Sequence, residues 1–333
     1  MSSSARQALN DFLAGVTPVS AIDDVTWRRM VRWARHDLSR QVAKIEARRS
    51  EGRLRLARRI ARQTIQRLGP RFALAAEAVR NAYPDGRHST DEQRRALQLK
   101  RMTVLKTGFP RVGRFGRPAS PSMRPRCKDD GSFRPVVEFH WIDKAQQSLL
   151  SAIYKPFADF HPAQYQRKKV AGLGGTSAVR EALRAALDTA DDTDVFLHFD
   201  VRRHYDNTRC EWLERKLWLP REVIRGHAHT ADMVIRHTGN HFVGPCSDQA
   251  SWKDGRLGLP QGSALSPLLA DLVMADVIRT AEVPDQYPLF IWSDNIGVIV
   301  PQREAAALEE LLRSAFAEHG CSATITESGR RQL

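Results

Sequence analysis

The sequence predicts an α+β chain with a basic helical front, on three observations. From Asp24 to about Ala82, apolar residues recur at three-to-four spacing with arginines between them. From about residue 133, strand-like and helix-like runs intermix with hairpins, without the regular alternation of a doubly wound sheet. Charge is divided along the same line: residues 1–135 hold 30 Lys and Arg against 12 Asp and Glu, and the remainder holds 22 against 26. Such a division suits a phosphate-tracking surface beside a region that binds metal through acids.

The first helix is read in "VTWRRMVRWARHDLSRQVAKIEARR", with Trp27 and Trp33 on its core side. "EGRLRLARRIARQTIQRLG" reads as a second helix, entered after Gly52 and stopped by Gly69-Pro70. "RFALAAEAVRNAY" reads as a third, ended by Pro84-Asp85-Gly86. Residues 84–132, dense in Gly, Pro, Ser and Arg, are expected to form a basic connection or mobile loop. "SFRPVVEFHW" has strand character, and "DKAQQSLLSAIYKPF" returns to helix. "DVFLHFDV" is a short buried strand closed by Asp200. "DNTRCEWLERKLW" opens the next helix, with Asn207 or Thr208 as its cap. "REAAALEELLRSAFAEHGCSATIT" reads as helix and then strand. The expected organisation is a helical extension over 1–83, a basic linker over 84–132 and a catalytic region over 133–333.

With 333 residues, 42% of them hydrophobic and 27% charged, the chain has enough apolar surface for a sizeable core. Four cysteines, Cys127, Cys210, Cys246 and Cys321, stand far apart without paired spacing, which fits reduced thiols. No signal-like segment or run of 18 apolar residues is present, so a cytoplasmic protein without a membrane span is expected. His227, His229, His237 and His241, with Cys246 nearby, are spaced partly like zinc ligands, but no paired-cysteine knuckle accompanies them.

Three segments carry chemistry. "FLHFDVRRHYDN" closes an apolar strand with Asp200 and sets Tyr205 five residues on. "GLPQGSALSPLLADLVM" is a tight turn opening an apolar helix. "FIWSDNIGVIV" sets Asp294 and Asn295 between two strand-like runs. Acids at strand ends are costly to hold near one another unless a cation neutralises them. Mg²⁺ does so with hard oxygen ligands, and a pair of ions can clamp an in-line phosphoryl displacement.

In order and spacing these segments resemble motifs A, B and C of reverse transcriptases. "GLPQGSALSPLLADL" is similar to motif B of bacterial group II intron-type enzymes. "SFRPVVEF" resembles the fingers segment whose arginine holds the incoming triphosphate. "YQRKKVAGLGGTSAVREAL" resembles the stretch before motif A, and the basic helices resemble the family's N-terminal extension. The resemblance implies a right-hand polymerase palm and fingers with a helical N-terminal extension. Asp200 and Asp294 would be the metal-bridging acids, with Val201 lending a backbone carbonyl and Asn295 completing the catalytic hairpin. Tyr205 would crowd the sugar 2′ position, Gln261 and Gly262 would lie against nucleotide and template, and Arg134, with Lys128 beside it, would grip the triphosphate.

The activity so implied is RNA-directed DNA polymerisation with Mg²⁺, for which Mn²⁺ could substitute. The implied partners are an RNA template, a DNA product, deoxynucleotides, and a non-coding RNA or a second protein subunit. Stand-alone bacterial relatives also suggest a role in antiphage defence. The sequence departs from the family at three points. The usual Tyr-x-Asp-Asp is Trp292-Ser293-Asp294-Asn295, where an Asn carbonyl can still face Mg²⁺ without charge, as in some viral RNA polymerases. No motif D lysine stands near "ATITESGRR", and little or no thumb is expected. The alternative is a non-catalytic subunit that scaffolds an RNA or a partner polymerase.

Overall fold

Five helices form the front of the chain: α1 (Ser2–Ala14), α2 (Asp24–Ser50), α3 (Leu54–Gln66), α4 (Leu68–Ala82) and α5 (Asp91–Gly108). This computed structural model describes residues 2–86, 89–116, 118–127, 133–167, 169–170, 173–237, 258–320 and 322–332. α2 starts where the Asp23 carboxylate accepts the Thr26 N–H at 2.6 Å, satisfying one of the free amides of the first turn. Its buried residues Met30, Ala34, Asp37, Gln41 and Ile45 follow the helical period. α3 buries only Ala57, Ala61 and Thr64, so small residues let it lie close to its neighbours while its arginines face out.

Gly69 and Pro70 do not stop the second helix, contrary to expectation. α3 ends at Gln66, and the pair lies in the first turn of α4, where a proline's missing N–H has no partner to lose. Glycine is needed there for another reason. A Cβ on Gly69 would lie 2.5 Å from Asp37 Oδ2, and Asp37 is a buried carboxylate held by Arg40 at 2.7 Å and Arg67 at 3.6 Å.

The basic connection expected over 84–132 is corrected by two elements. α5 occupies Asp91–Gly108, begun by a capping box in which Thr90 Oγ1 accepts from Gln93 N–H and the Gln93 side chain accepts from Thr90 N–H. β1 (Ser122–Cys127) follows. Met102 and Leu105 of α5 are buried with Leu9, Phe12, Met30, Phe72 and Trp141 in one apolar cluster. That burial offsets the conformational entropy lost in ordering the helix. The front helices also share the second core, since Ile45, Ala57 and Ala61 pack with residues of the central sheet.

The central sheet runs β7 (Leu289–Trp292), β8 (Asn295–Pro301), β5 (Asp194–Arg202), β9 (Ser322–Gln332), antiparallel throughout. In β5 the alternating residues Val195, Leu197, Phe199 and Val201 are buried, opposite Val300, Val298 and Ile296 of β8 for the first three. α9 (Ser266–Ala281) and α10 (Ala305–Glu318) supply Leu269, Met274, Leu308 and Phe316 to the same core. The other face of β5 carries Phe196, His198 and Asp200. A second sheet joins β2 (Phe133–Glu138), β1 and β6 (Arg236–His237) in that order. Between the sheets in sequence come α6 (Trp141–Tyr154), the β3–β4 hairpin (Lys169–Val170, Leu173–Gly174) and α7 (Gly175–Leu187). α8 (Cys210–Lys216) begins one residue later than a Thr208 cap would place it. Arg209 stands at its cap position without a side-chain bond, and Thr208 Oγ1 instead donates to the His204 carbonyl at 3.1 Å. Among the described residues no helix is long and apolar enough to cross a membrane.

Asp143 in the first turn of α6 is 3% exposed, and its Oδ2 finds no hydrogen-bond partner among the described residues. Burial pushes its carboxyl up to about 6, against the opposing pull of Arg111. The folded chain therefore binds more protons than the unfolded one between the ordinary value of 3.8 and about 6. Stability from this group falls as pH rises through that window, and the cost is complete above it. Asp143→Asn is expected to stabilise the protein by about 3 kcal/mol above about pH 7, with the gain shrinking toward pH 4. Denaturant unfolding of parent and variant at both ends of the window checks this, and a pH-independent difference would refute it.

Candidate active site

The site forms where β5 and β8 run out together. Asp200 stands directly opposite Asn295, and the Val201 N–H donates to the Asp294 carbonyl at 2.9 Å. A bond from the residue after one partner to the residue before the other marks a non-hydrogen-bonded pair, the closer of the two antiparallel types. Asp294 itself sits in the two-residue turn between Trp292 and Asn295. Ser293 takes a left-handed φ of 58° there, as tight hairpins require at their first central position. Hairpin register thus carries Asp294 from the far strand to the end of β5, beside Asp200.

The side chains at this end are linked. Asn295 Nδ2 donates to Asp294 Oδ1 at 3.1 Å, and Asn295 Oδ1 lies 3.1 Å from His198 Nε2. The amide oxygen, which in sequence could face a metal, here lies against a histidine. Among the described residues Asp294 forms no ion pair, and no group of three or more His, Cys, Asp and Glu side chains forms a metal cluster. The oxygens at this end that could face a cation are the Asp200 and Asp294 carboxylates and the Val201 carbonyl. These are hard oxygen ligands, and they fit Mg²⁺.

Beyond Asp200 the chain turns back on itself through Arg203, whose φ is 54°. His204 anchors this turn. It is 3% exposed, burial holds its imidazole below the usual range, and the neutral ring donates from Nε2 to the Ala270 carbonyl of α9 at 3.0 Å. Tyr205 is left half-buried, with its ring edge-on to His204. The Tyr205 carbonyl accepts the Leu259 N–H at 2.8 Å, which joins the turn after Asp200 to the Gly-Leu-Pro-Gln-Gly turn. Asp206 adds a second link, accepting from Gln261 Nε2 at 3.4 Å and from Arg203 Nε at 3.3 Å.

Gly262 has φ 105°, and a Cβ there would lie 2.5 Å from the Val137 carbonyl. That closeness lets the Val137 N–H donate to the Gln261 carbonyl at 2.6 Å, docking β2 on the turn. β2 carries Arg134, which pairs with Arg126 across the β1–β2 ladder. Lys128 and the side chain of Arg134 lie outside the described residues. The structure therefore brings together Asp200, Val201, Tyr205, Gln261, Gly262, Asp294 and Asn295, with the backbone of Arg134 on the adjoining strand.

The stretch before β5 is pinned to the same helix. Gln164 Nε2 donates to the Asp271 carbonyl at 2.8 Å, Arg167 pairs with the buried Asp271 carboxylate, and the Ile291 N–H donates to the Ala163 carbonyl at 2.9 Å. Two of the histidines with zinc-like spacing have other partners. His227 Nε2 lies 2.9 Å from the Gly116 carbonyl, and His229 Nε2 lies 3.0 Å from that of Thr208. Both are buried, and burial depresses both imidazoles. His241 and Cys246 fall outside the described residues.

Sequence reasoning missed His198, His204 and Asp206. The alternation of "DVFLHFDV" puts His198 on the Asp200 face and could have identified it. Nothing local marks His204, because its partner is 66 residues away. Among known proteins, the family model for reverse transcriptase (RNA-dependent DNA polymerase) matches residues 127–322. No curated protein matches the chain.

Proposed function

The chain belongs to the reverse transcriptase family, and from that premise we propose that it extends a 3′ hydroxyl with deoxynucleotides on an RNA template, by two-metal phosphoryl transfer. RNA-directed DNA polymerisation is the family's activity, and its domains generally use divalent ions such as Mg²⁺. The observation that carries the reading is the register of β5 on β8, which sets Asp200 against the Asp294–Asn295 end of the hairpin. Phosphoryl transfer asks the protein chiefly for positioning and charge.

When bound, the divalent ions supply the charge that activates the attacking oxygen and neutralises the leaving phosphates. Asp200 and Asp294 would hold them, with the Val201 carbonyl as a further ligand. Gln261 and Gly262 would form the floor under the nucleotide, and Arg134 would reach the triphosphate from β2. The assay is incorporation of all four deoxynucleotides on a primed RNA template with Mg²⁺ or Mn²⁺. Silence with both ions favours the scaffolding subunit. A role in antiphage defence is part of the proposal on resemblance alone.

Tyr205 would stand beneath the ribose, its backbone fixed by the Leu259 bond and its ring braced by His204. Tyr205→Ala is expected to relax discrimination against ribonucleotides by about tenfold or more, the scale of one steric contact in a pocket. Competition between dCTP and CTP measures it. A parent that uses both equally removes the gate assignment.

The RNA surface is proposed on α3. Arg55, Arg58, Arg59 and Arg62 recur at helical spacing, all are exposed, and among the described residues none forms an ion pair. Arg62 also lies 5.9 Å from the Trp218 ring. Deleting the front helices would open the shared core at Ile45, Ala57 and Ala61, so substitution is the cleaner test. Changing Arg55, Arg58 and Arg59 to Gln is expected to reduce the log–log salt slope of RNA binding by about 0.7–0.9 for each phosphate no longer neutralised. An unchanged slope would move the RNA elsewhere.

A further inference from the structure

We propose that Asn295 is a positioning residue for Asp294 rather than a metal ligand, and that His198 holds it in that role; this rests on the polymerase reading above. Asn295 bridges two groups. Its amide N–H donates to Asp294 Oδ1, and its Oδ1 faces His198 Nε2, each at 3.1 Å. Reversing the amide would set its oxygen against the Asp294 carboxylate, two acceptors at hydrogen-bonding distance, so the observed orientation is the one with both bonds made. The imidazole then carries its proton on Nε2 and donates it to Asn295.

His198 is itself held by packing. It lies on the Asp200 face of β5, opposite Gly297. Gly297 leaves space that Phe196 fills, since a Cβ there would lie 2.7 Å from the Phe196 ring. Phe196 and His198 stack with their ring planes 8° apart. The glycine thus admits one ring, and that ring sets the plane of the other, aiming Nε2 along the strand at Asn295. A residue at 295 with two carboxylate oxygens could only accept, and it would stand beside Asp294 with like charge. The amide removes that repulsion and gives Asp294 a donor that fixes where its carboxylate points. Outer partners that orient a metal ligand act in this way elsewhere.

The test is Mn²⁺ binding to the full chain, read by electron paramagnetic resonance of the free ion, with melting temperature read alongside. His198→Phe keeps a ring but removes the donor, and is expected to weaken binding about tenfold, the lower end of what removing an orienting partner costs. His198→Gln keeps an N–H at similar reach and should bind closer to the parent than to the phenylalanine variant. In an Asn295→Ala background, His198→Phe should add nothing, because its effect passes through Asn295. His198→Leu replaces the phenylalanine variant if that one melts early. Were Asn295 Oδ1 a ligand, freeing it from His198 would leave binding equal or tighter, and that result overturns the proposal. Additive effects in the double variant overturn it as well. A parent that binds no Mn²⁺ overturns the polymerase reading and this one with it, an outcome distinct from both.

Discussion

Asp200→Ala is expected to lower incorporation by about a thousandfold or more, since one metal-bridging carboxylate supplies several kcal/mol of transition-state stabilisation. The fold should survive the change. Asp200 is exposed at the outer end of β5, while the residues that hold the strand, Leu197, Phe199 and Val201, point the other way into the core. Substitution at such a position usually shifts stability by no more than about 0.5 kcal/mol. Incorporation on a primed RNA template, measured beside thermal unfolding, separates a missing ligand from a damaged fold. Equal activity in variant and parent would end the polymerase reading, because no other described acid stands opposite the Asp294 hairpin.

The second large effect is expected at Gly262. Its φ of 105° is a conformation that side chains rarely adopt, and a Cβ would press on the Val137 carbonyl. Strain of that kind costs about 1–3 kcal/mol, and here the easiest relief is to move β2 away from the turn. That movement breaks the bond from Val137 to Gln261 and carries Arg134 with it. Gly262→Ala should therefore raise KM for deoxynucleotides and lower kcat/KM by about a hundredfold, as small displacements of positioning groups do. Ala264, exposed two residues on, should tolerate serine in both respects. If Gly262→Ala raised no KM, the turn would not be part of the nucleotide site.

Local pattern carried much of this molecule. The apolar run "DVFLHFDV" gave a short buried strand and placed Asp200 at its end. The turn residues at Trp292-Ser293-Asp294-Asn295 gave the hairpin, and the order of the three motifs pointed to the family without help from any tertiary packing. The capping box at Thr90–Gln93 was equally local and predicts α5, but the density of arginine, glycine and proline around it suggested a loop. Gly69-Pro70 misled for the opposite reason. A proline reads the same in sequence whether it ends one helix or opens the next, and here it stands in the first turn of α4, where its missing N–H has no partner to lose.

The chemical identities of the site were determined by sequence alone: which acids close which elements, which glycines mark the turn, and where positive charge gathers. Their mutual placement was not, because it depends on partners far along the chain. His204 reaches Ala270, Val137 reaches Gln261, and Val201 reaches Asp294. Asn295 is the sharpest case. Its sequence position leaves open an amide oxygen turned toward a metal, whereas strand register sets His198 diagonal to it, with Nε2 3.1 Å from that oxygen. An amide's two ends differ only in donor and acceptor, and which end faces the acid is set by the neighbours that packing brings to it.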